Sequence, residues 1–272
     1  MDETKRTFPG RVMGVDIGSR SIGLVALEDG RTARALTVPT TYDLLRQCRR
    51  VLEGEQAARV VATGYGRKLF TQEFAGAPTL GHVSDITEIQ AHALGARALF
   101  PQARTVLDIG GQDTKVISLS EAGKVVKFEM NDRCAAGTGK FLEFMAVALQ
   151  VPLEEFGAFA LGADKRLRIG SMCTVFAETE ATTLMAMGER PENIAMGLHL
   201  AIAGRVSAMA GRVGGPGPLV FSGGVARNAC VVRLLAESLG EAPLIPDEPE
   251  LVGALGAALA GLARCRAAGP TG

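Results

Sequence analysis

The feature that most constrains the fold of this chain is a repeated pattern of strand, acidic glycine turn and strand. Residues 11–18 are an apolar strand pattern ending in Asp-Ile-Gly, and residues 105–111 are another, ending in Asp-Ile-Gly-Gly. In both copies a second strand pattern, a turn with glycine and a third strand pattern follow. From the aspartate to the glycine of that later turn there are 14 positions in the first copy and 15 in the second. Such matched spacing predicts that one structural unit occurs twice.

Helix patterns after each copy lead to the prediction of a two-lobed α/β protein. Strands that alternate with helices, twice over, predict lobes at 11–101 and 102–272 with a cleft between them. Ser84 is the predicted N-cap of one helix. We expect the last helix to pack back on the first lobe. The helix patterns lie at 42–53, 84–100, 138–150, 174–188, 191–212, 228–239 and 250–266, and short strands at 59–62 and 219–221.

Composition argues against several classes of function. The chain has 29 basic and 29 acidic residues, and this zero formal net charge argues against nucleic acid or a membrane surface as partner. Its start lacks the apolar region of a secretory signal, and its most apolar stretch, 251–263, is too short to span a bilayer. The five cysteines form an odd set without close spacing, which favours a reducing compartment over a disulfide framework. We therefore expect a cytoplasmic protein.

The two acidic glycine turns have the chemistry of a nucleotide phosphate site. Glycines let backbone N–H groups approach phosphate oxygens, whereas a carboxylate beside them repels phosphate unless Mg²⁺ lies between. Two such turns facing each other would hold the β- and γ-phosphates of ATP with Mg²⁺. We predict that Asp16 and Asp108 act through Mg²⁺ and that Gln112 orients water or the metal. The predicted phosphate contacts are Gly18, Ser19, Gly110 and Gly111.

A third glycine segment again lies between a strand pattern and a helix pattern, at 221–228. We predict that it receives the adenosine moiety through Gly223, Gly224 and Asn228. The better-known phosphate motifs do not fit. The run at 134–141 lacks the first Gly and the Ser or Thr of a P-loop, and no Gly-x-Gly-x-x-Gly follows the first strand.

Two of the cysteines, Cys134 and Cys173, stand before stretches with a helix pattern. Unpaired backbone N–H groups and the helix dipole stabilise a thiolate at a helix N-terminus, which suits metal ligation. An iron–sulfur cluster normally takes four thiolates, so this pair offers half a set. Zinc is a weaker option, because neither a Cys-x-x-Cys spacing nor a His partner is nearby.

At these motifs the chain resembles a known group of ATPases. The duplicated turns are similar to those of the acetate and sugar kinase, heat-shock chaperone and actin superfamily, which implies that fold. More closely, the chain resembles the activators of 2-hydroxyacyl-CoA dehydratases, within the BadF/BadG/BcrA/BcrD family that includes the ATPase subunits of benzoyl-CoA reductase. The matching segments are 62–67, 108–115, 130–139, 171–180, 222–228 and 253–258.

The resemblance implies ATP-dependent delivery of one low-potential electron to a CoA-ester dehydratase or reductase. It also implies that Cys134 and Cys173 are cluster ligands. Since each subunit would supply two thiolates, one 4Fe-4S cluster would bridge a homodimer. The implied electron donor is a ferredoxin or a flavodoxin.

The first turn departs from the family pattern. The family commonly has Asp-x-Gly-Ser-Thr with a Lys a few positions later, whereas this chain has Arg20 after Ser19 and Gly23 where the Lys would fall. Two other functions stay open, namely a small-molecule kinase of the same fold and a nucleotide-gated interaction module with little turnover. His92 lies four residues after Glu88, and we favour a structural pair on one helix face.

Overall fold

The computed structural model describes residues 10–170, 173–215 and 217–267. Its strands are β1 Arg11–Ile17, β2 Ser21–Glu28, β3 Arg31–Pro39, β4 Ala57–Thr63, β5 Leu80–Asp85, β6 Thr105–Ile109, β7 Thr114–Leu119, β8 Val125–Asn131 and β9 Leu219–Ser222. Its helices are α1 Leu44–Val51, α2 Arg67–Phe74, α3 Glu88–Leu99, α4 Gly139–Ala148, α5 Leu153–Leu161, α6 Thr174–Ala186, α7 Pro191–Val213, α8 Ala229–Leu239 and α9 Val252–Ala267. Short 3₁₀ helices occur at Gly224–Arg227 and Pro249–Leu251.

The chain divides into two compact units, and the first of them is built from both ends of the sequence. Unit 1 comprises Met1–Pro101 and Glu250–Gly272, and unit 2 comprises Gln102–Pro249. One boundary between the units lies between Pro101 and Gln102. Residues from Glu250 onwards group with unit 1, whereas the predicted range 102–272 included them in the second lobe. The packing of α9 is the physical reason for the difference.

Unit 1 contains a five-stranded sheet in the order β3-β2-β1-β4-β5. The first three strands form an antiparallel meander, and β4 and β5 add to it in parallel. Helix α9 packs on β1 and α3 at very short range, because the sequence has glycines where the surfaces meet. A Cβ at Gly14 of β1 would stand 2.0 Å from the Ala254 carbonyl oxygen. Any side chain there would therefore push α9 off the sheet.

Unit 2 repeats the meander in a four-stranded sheet of order β8-β7-β6-β9. Five helices, α4–α8, accompany it, and the largest fully buried side chains of its core are Phe141, Phe156 and Phe221. Within the described ranges α7 alone is long and apolar enough to cross a membrane, yet 61% of that stretch is buried in the protein. Helix α7 therefore has the environment of a core helix, packed against α5, α8 and β7.

The structure corrects some details of the secondary-structure prediction. Ser84 belongs to β5, and the N-cap of α3 is Thr87, whose hydroxyl accepts from the Gln90 N–H (3.3 Å) while the Gln90 side chain accepts from the Thr87 N–H. That reciprocal capping box sets the true start of α3. The sequence prediction also missed β5, α2 and α5. Ser171 and Met172, in one of the segments that carry the resemblance, lie outside the described residues.

Candidate functional site

The first acidic glycine turn is a tight hairpin between β1 and β2. Asp16 pairs across the hairpin with Gly23, and the Gly18 N–H donates to the Ser21 carbonyl (2.9 Å). Thr40 supports the turn from behind, since its hydroxyl donates to the Gly18 carbonyl (2.8 Å). Asp16 is thus held at the strand end, and its carboxyl stays partly exposed.

The second turn has the same backbone but a buried ion pair. Asp108 pairs across the hairpin with Lys115, whose ammonium lies 3.2 Å from Asp108 Oδ2 and 2.8 Å from Asp113 Oδ2. The Ser222 hydroxyl donates to Asp108 Oδ1 (3.0 Å). Asp108 and Lys115 are both almost fully buried, so each depends on the other for charge compensation.

Sequence reasoning gave no role to Lys115 or Ser222. A signal for Lys115 was present, because it and Asp108 stand at equal distances from the centre of a tight hairpin and must therefore face each other. By the same register Gly23 is the counterpart of Lys115 in the first turn. A Cβ on Gly23 would lie 3.0 Å from Leu251 Cδ2, so the start of the C-terminal segment occupies the space where a longer side chain would begin.

A glycine with positive φ lies beside each aspartate. Gly64, after β4, has φ +88°, and Gly223, after β9, has φ +83°. A Cβ on Gly64 would stand 2.5 Å from Asp16 Oδ1, and one on Gly223 would stand 2.9 Å from Asp108 Oδ1. Only glycine lets the backbone approach these carboxylates so closely. The duplication therefore extends beyond the hairpins to the next strand of each sheet.

The first turn differs from the second in what surrounds its aspartate. His92 of α3 is buried, with Nε2 3.9 Å from Asp16 Oδ2. The hydroxyl of Thr63, the position matching Ser222, is buried and has no hydrogen-bond partner among the described residues. An unsatisfied buried hydroxyl beside a carboxylate suits a site that a hydrated Mg²⁺ completes. Asp16 and Thr63 therefore fit the predicted metal, whereas both Asp108 oxygens already have partners.

The predicted phosphate donors fall into two groups. The N–H groups of Gly18 and Gly110 are used inside their turns, where they donate to Ser21 and to Asp113. Those of Ser19, Gly111 and Gln112 make no backbone hydrogen bond within the described ranges. Gln112 is exposed at the tip of the second turn. The N–H groups of Gly18 and Gly110 thus serve the turns themselves, and phosphate binding by any of these groups stays a prediction.

The third glycine segment is anchored inside unit 2. Gly223 donates its N–H to the Pro249 carbonyl (2.9 Å), and Gly224 begins a 3₁₀ turn. Asn228 is the N-cap of α8, with Oδ1 accepting from the Val231 N–H (3.0 Å). Its Nδ2 lies 3.0 Å from Nε2 of the buried His199. Both polar ends of the Asn228 side chain therefore serve the fold, and its contact with adenosine stays a prediction.

Both predicted ligand cysteines are exposed and lie in unit 2, but in different local structures. Cys173 is the N-cap residue of α6, and its carbonyl accepts from the Ala177 N–H (2.9 Å). Cys134 lies in the loop five residues before α4, so the helix-dipole argument applies to Cys173 alone. The Asn131 side chain shapes that loop by donating to the Cys134 and Ala136 carbonyls. No group of three or more potential metal ligands forms within the described residues of one chain.

The loop that carries Cys134 is hydrogen-bonded to the second glycine turn. The N–H groups of Gly139 and Lys140, the first residues of α4, donate to the carbonyls of Gly110 (2.9 Å) and Gly111 (2.8 Å). A Cβ on Gly139 would stand 2.9 Å from the Gly110 oxygen, so glycine permits this contact. The Thr114 hydroxyl donates to the Gly137 carbonyl (2.6 Å). A displacement of the turn would therefore move the Cys134 loop.

The chain is similar in sequence and structure to known proteins along nearly its whole length. The activator of lactoyl-CoA dehydratase from Anaerotignum propionicum is 40% identical over 256 residues, which cover 91% of this chain and 95% of that protein. The crystal structure of the 2-hydroxyisocaproyl-CoA dehydratase activator from Clostridium difficile, with bound ADPNP, superposes with a TM-score of 0.84 at 36% identity and covers 95% of this chain and 96% of its own.

More distant structures show the fold alone. A ROK family glucokinase from Streptomyces griseus matches with a TM-score of 0.59 at 15% identity over 93% of this chain and 100% of its own. This confirms the predicted α/β fold of the kinase, chaperone and actin type. The model of the BadF/BadG/BcrA/BcrD ATPase family matches residues 13–261. This chain therefore belongs to the BadF/BadG/BcrA/BcrD ATPase family.

Proposed function

We propose that this protein is a cytoplasmic ATPase that activates a 2-hydroxyacyl-CoA dehydratase, or a related CoA-ester reductase, by delivering one low-potential electron. The dehydratase activators that match its whole length support this activity. The observation that carries the proposal is the pair of hydrogen bonds that the N–H groups of Gly139 and Lys140, in the first turn of α4, donate to the carbonyls of Gly110 and Gly111. Through them, a phosphate bound at the turn would act directly on the loop that holds Cys134.

The nucleotide site follows from the two turns. Asp16 and Thr63 would hold Mg²⁺ at the first turn, and the N–H groups of Ser19, Gly111 and Gln112 would donate to phosphate oxygens. Lys115 compensates the buried charge of Asp108 in the second turn. Gln112, at the exposed tip, is the residue proposed to orient the attacking water. Gly223 and Gly224 would border the adenosine.

Cys134 and Cys173 are the proposed ligands of a 4Fe-4S cluster. When bound, such a cluster supplies a one-electron redox centre. Both sulfurs are exposed, as ligands of a shared group must be, and two thiolates from each of two subunits would complete the set. Val175 and Phe176, directly after Cys173, are 63% and 65% exposed. Apolar side chains with so much exposed surface favour a contact with another protein. We propose that this protein is the second subunit of a homodimer.

An anaerobic iron and sulfide count on the isolated dimer tests the proposal. We expect about four iron and four sulfide ions per dimer, and loss of both in Cys134→Ala and in Cys173→Ala. Cys265→Ala, which removes a partly exposed cysteine of unit 1, is the matched control and should keep the cluster. ATP binding should survive in all three variants, because the cysteines lie outside the glycine turns.

Two outcomes would contradict the proposal. One is a dimer without iron, and the other is a Cys134→Ala protein that keeps its full iron content. Analysis of the ATP products separates the activator from the kinase alternative. Free phosphate supports the activator, whereas a phosphorylated metabolite supports a small-molecule kinase.

A further inference from the structure

Unit 2 has an open groove of about 780 Å³ that none of the glycine turns uses. Its walls are the end of β8, the segment 166–169 and one face of α7. Four arginines line it, against one glutamate: Arg166, Arg168, Arg205 and Arg212, with Glu129. We call this the arginine groove. Its charge is notable because the whole chain is formally neutral.

Partners inside the protein account for only part of this charge. Arg212 binds the Glu129 carboxylate through Nε (3.0 Å), and this contact lowers the pKa of Glu129. Arg166 forms an ion pair with Glu237 (2.8 Å). Arg168 is exposed and forms no ion pair with any described residue. Arg168 thus contributes positive charge that no described carboxylate balances and that an incoming anionic group would meet.

The two walls of the groove lead directly to the two exposed cysteines. One wall ends at Asn131, which donates to the Cys134 carbonyl, and Arg205 packs on the same loop, 3.1 Å from where a Cβ on Gly137 would stand. The other wall is Arg166 to Ile169, and Gly170 follows it three positions before Cys173 in the sequence. The Gly170 N–H donates to the Glu180 carboxylate of α6 (3.1 Å), which ties this wall to the helix that Cys173 caps.

The wall formed by 166–169 lies close against α7. A Cβ on Gly197 would stand 3.1 Å from the Leu167 carbonyl oxygen and 3.1 Å from Ile169 Cγ1. Gly204, two turns of helix further along, has open space where its Cβ would be. A basic groove with an open mouth suits a protruding acidic segment of another protein.

We propose that the arginine groove docks the acidic surface of the one-electron carrier protein that reduces the centre held by Cys134 and Cys173. The inference rests on the proposed function and adds to it the surface used by the donor. In the step that docking serves, the carrier loses one electron and the cysteine-held centre gains it. No bond is made or broken and no proton is transferred.

A second copy of this chain does not fit the groove. In a two-fold dimer the same patch of each subunit meets near the axis, so an arginine groove there would face another arginine groove. Like charges placed together oppose association. Charge complementarity therefore favours an acidic protein of a different kind.

The test is the affinity of the intact dimer for an oxidised, strongly acidic bacterial ferredoxin, measured at low and high salt. We expect Arg168→Glu to lower the affinity for ferredoxin about tenfold at low salt. High salt should also lower the affinity of the wild-type protein, because it screens the same attraction. Arg46→Glu, on the exposed surface of unit 1, makes the same charge change away from the groove and should leave the affinity within about twofold. Gly204→Trp should block the groove sterically without altering its charge.

Binding as strong as wild type in both Arg168→Glu and Gly204→Trp would overturn the inference. So would a loss confined to dehydratase activation, with ferredoxin affinity unchanged, because the groove would then belong to the dehydratase. The iron content of the same samples reports on the proposed function separately. If iron-free protein still binds ferredoxin through Arg168, the cluster proposal is wrong but the docking role of the arginine groove is supported.

Discussion

At the scale of single residues, the two aspartates of the repeated turns have different neighbours. Asp108 is buried against Lys115 and Ser222, whereas Asp16 lies near His92 and beside the unsatisfied hydroxyl of Thr63. The second turn is therefore complete as it stands. In the first turn the buried Thr63 hydroxyl has no hydrogen-bond partner among the described residues, which fits the proposed Mg²⁺ site.

The ion pair at the second turn gives the first of three predictions. Lys115→Met should lower the free energy of unfolding by about 3–5 kcal/mol, because it leaves Asp108 charged and buried without its partner. The double variant Asp108→Asn, Lys115→Met removes both charges and should recover most of that loss. Urea denaturation measures the two effects. Equal stability of the single and double variants would show that the pair does not act as a unit.

A second prediction concerns the pH dependence of stability. His199 is buried, its Nδ1 lies 2.7 Å from the Ala195 carbonyl, and burial lowers its pKa from 6.5 to about 4. As the pH falls below 6.5, His199 becomes protonated in the unfolded chain but stays neutral in the folded protein, so the folded protein loses stability. The contribution of His199 at pH 5 should be about 2 kcal/mol less favourable than at pH 7. Above pH 7 this effect of His199 is absent, because its side chain is neutral in both the folded and the unfolded state.

His199→Gln isolates this effect from the titration of the carboxylates. The glutamine variant should be less stable than wild type at pH 7, but the gap should narrow by about 2 kcal/mol at pH 5. Urea midpoints at the two pH values measure the change. A constant gap would mean that His199 titrates normally in the folded state.

At the scale of helices and strands, glycines decide where two surfaces can touch. Gly253 of α9 is the clearest case, because its Cβ would stand 2.1 Å from Asp16 Oδ2. In an exposed helix, glycine to alanine normally stabilises by about 0.5–1 kcal/mol. Here the methyl group would displace either the helix or the carboxylate of the first turn.

The third prediction compares that glycine with a matched one. Gly253→Ala should destabilise the protein and slow ATP hydrolysis, because Asp16 loses its position. Gly211→Ala in α7, where no atom lies within 4 Å of the new Cβ, should stabilise the protein and leave hydrolysis unchanged. Thermal unfolding and a phosphate-release assay measure both. Stabilisation by both substitutions would show that α9 does not pack tightly on Asp16.

Local signals explain which elements could be predicted from the sequence. Apolar runs separated by glycine turns predict the hairpins, and both copies form as expected. The prediction of Ser84 as the N-cap was wrong because a short strand and a capping box fall within a few residues of each other. The local sequence pattern does not separate the two. The distance of Cys134 from α4 was misjudged for a related reason. Gly137, at φ +88°, ends a loop that reads from sequence like a helix start.

At the scale of the whole molecule, duplication explains most of the architecture, and the differences between the copies explain the chemistry. The repeat predicted two units, and the hairpin register then showed that Gly23 and Lys115 are counterparts. The hairpin register could have paired Asp108 with Lys115, but the proximity of His92 to Asp16 and the arginine groove depend on contacts between distant parts of the chain. Periodicity carries no information about such contacts, so these features required the structure.

The place of α9 in unit 1 also determines the order in which the two units can finish folding during translation. Residues 10–101 leave the ribosome first, yet their sheet lacks the helix that packs on Gly14 and contacts Asp16. About 150 residues of unit 2 must be translated before α9 follows, which takes on the order of ten seconds or more. During that interval the apolar face of β1 and β2 waits for its cover. Unit 2, whose residues are continuous, is then the first to have all of its parts, although it begins second.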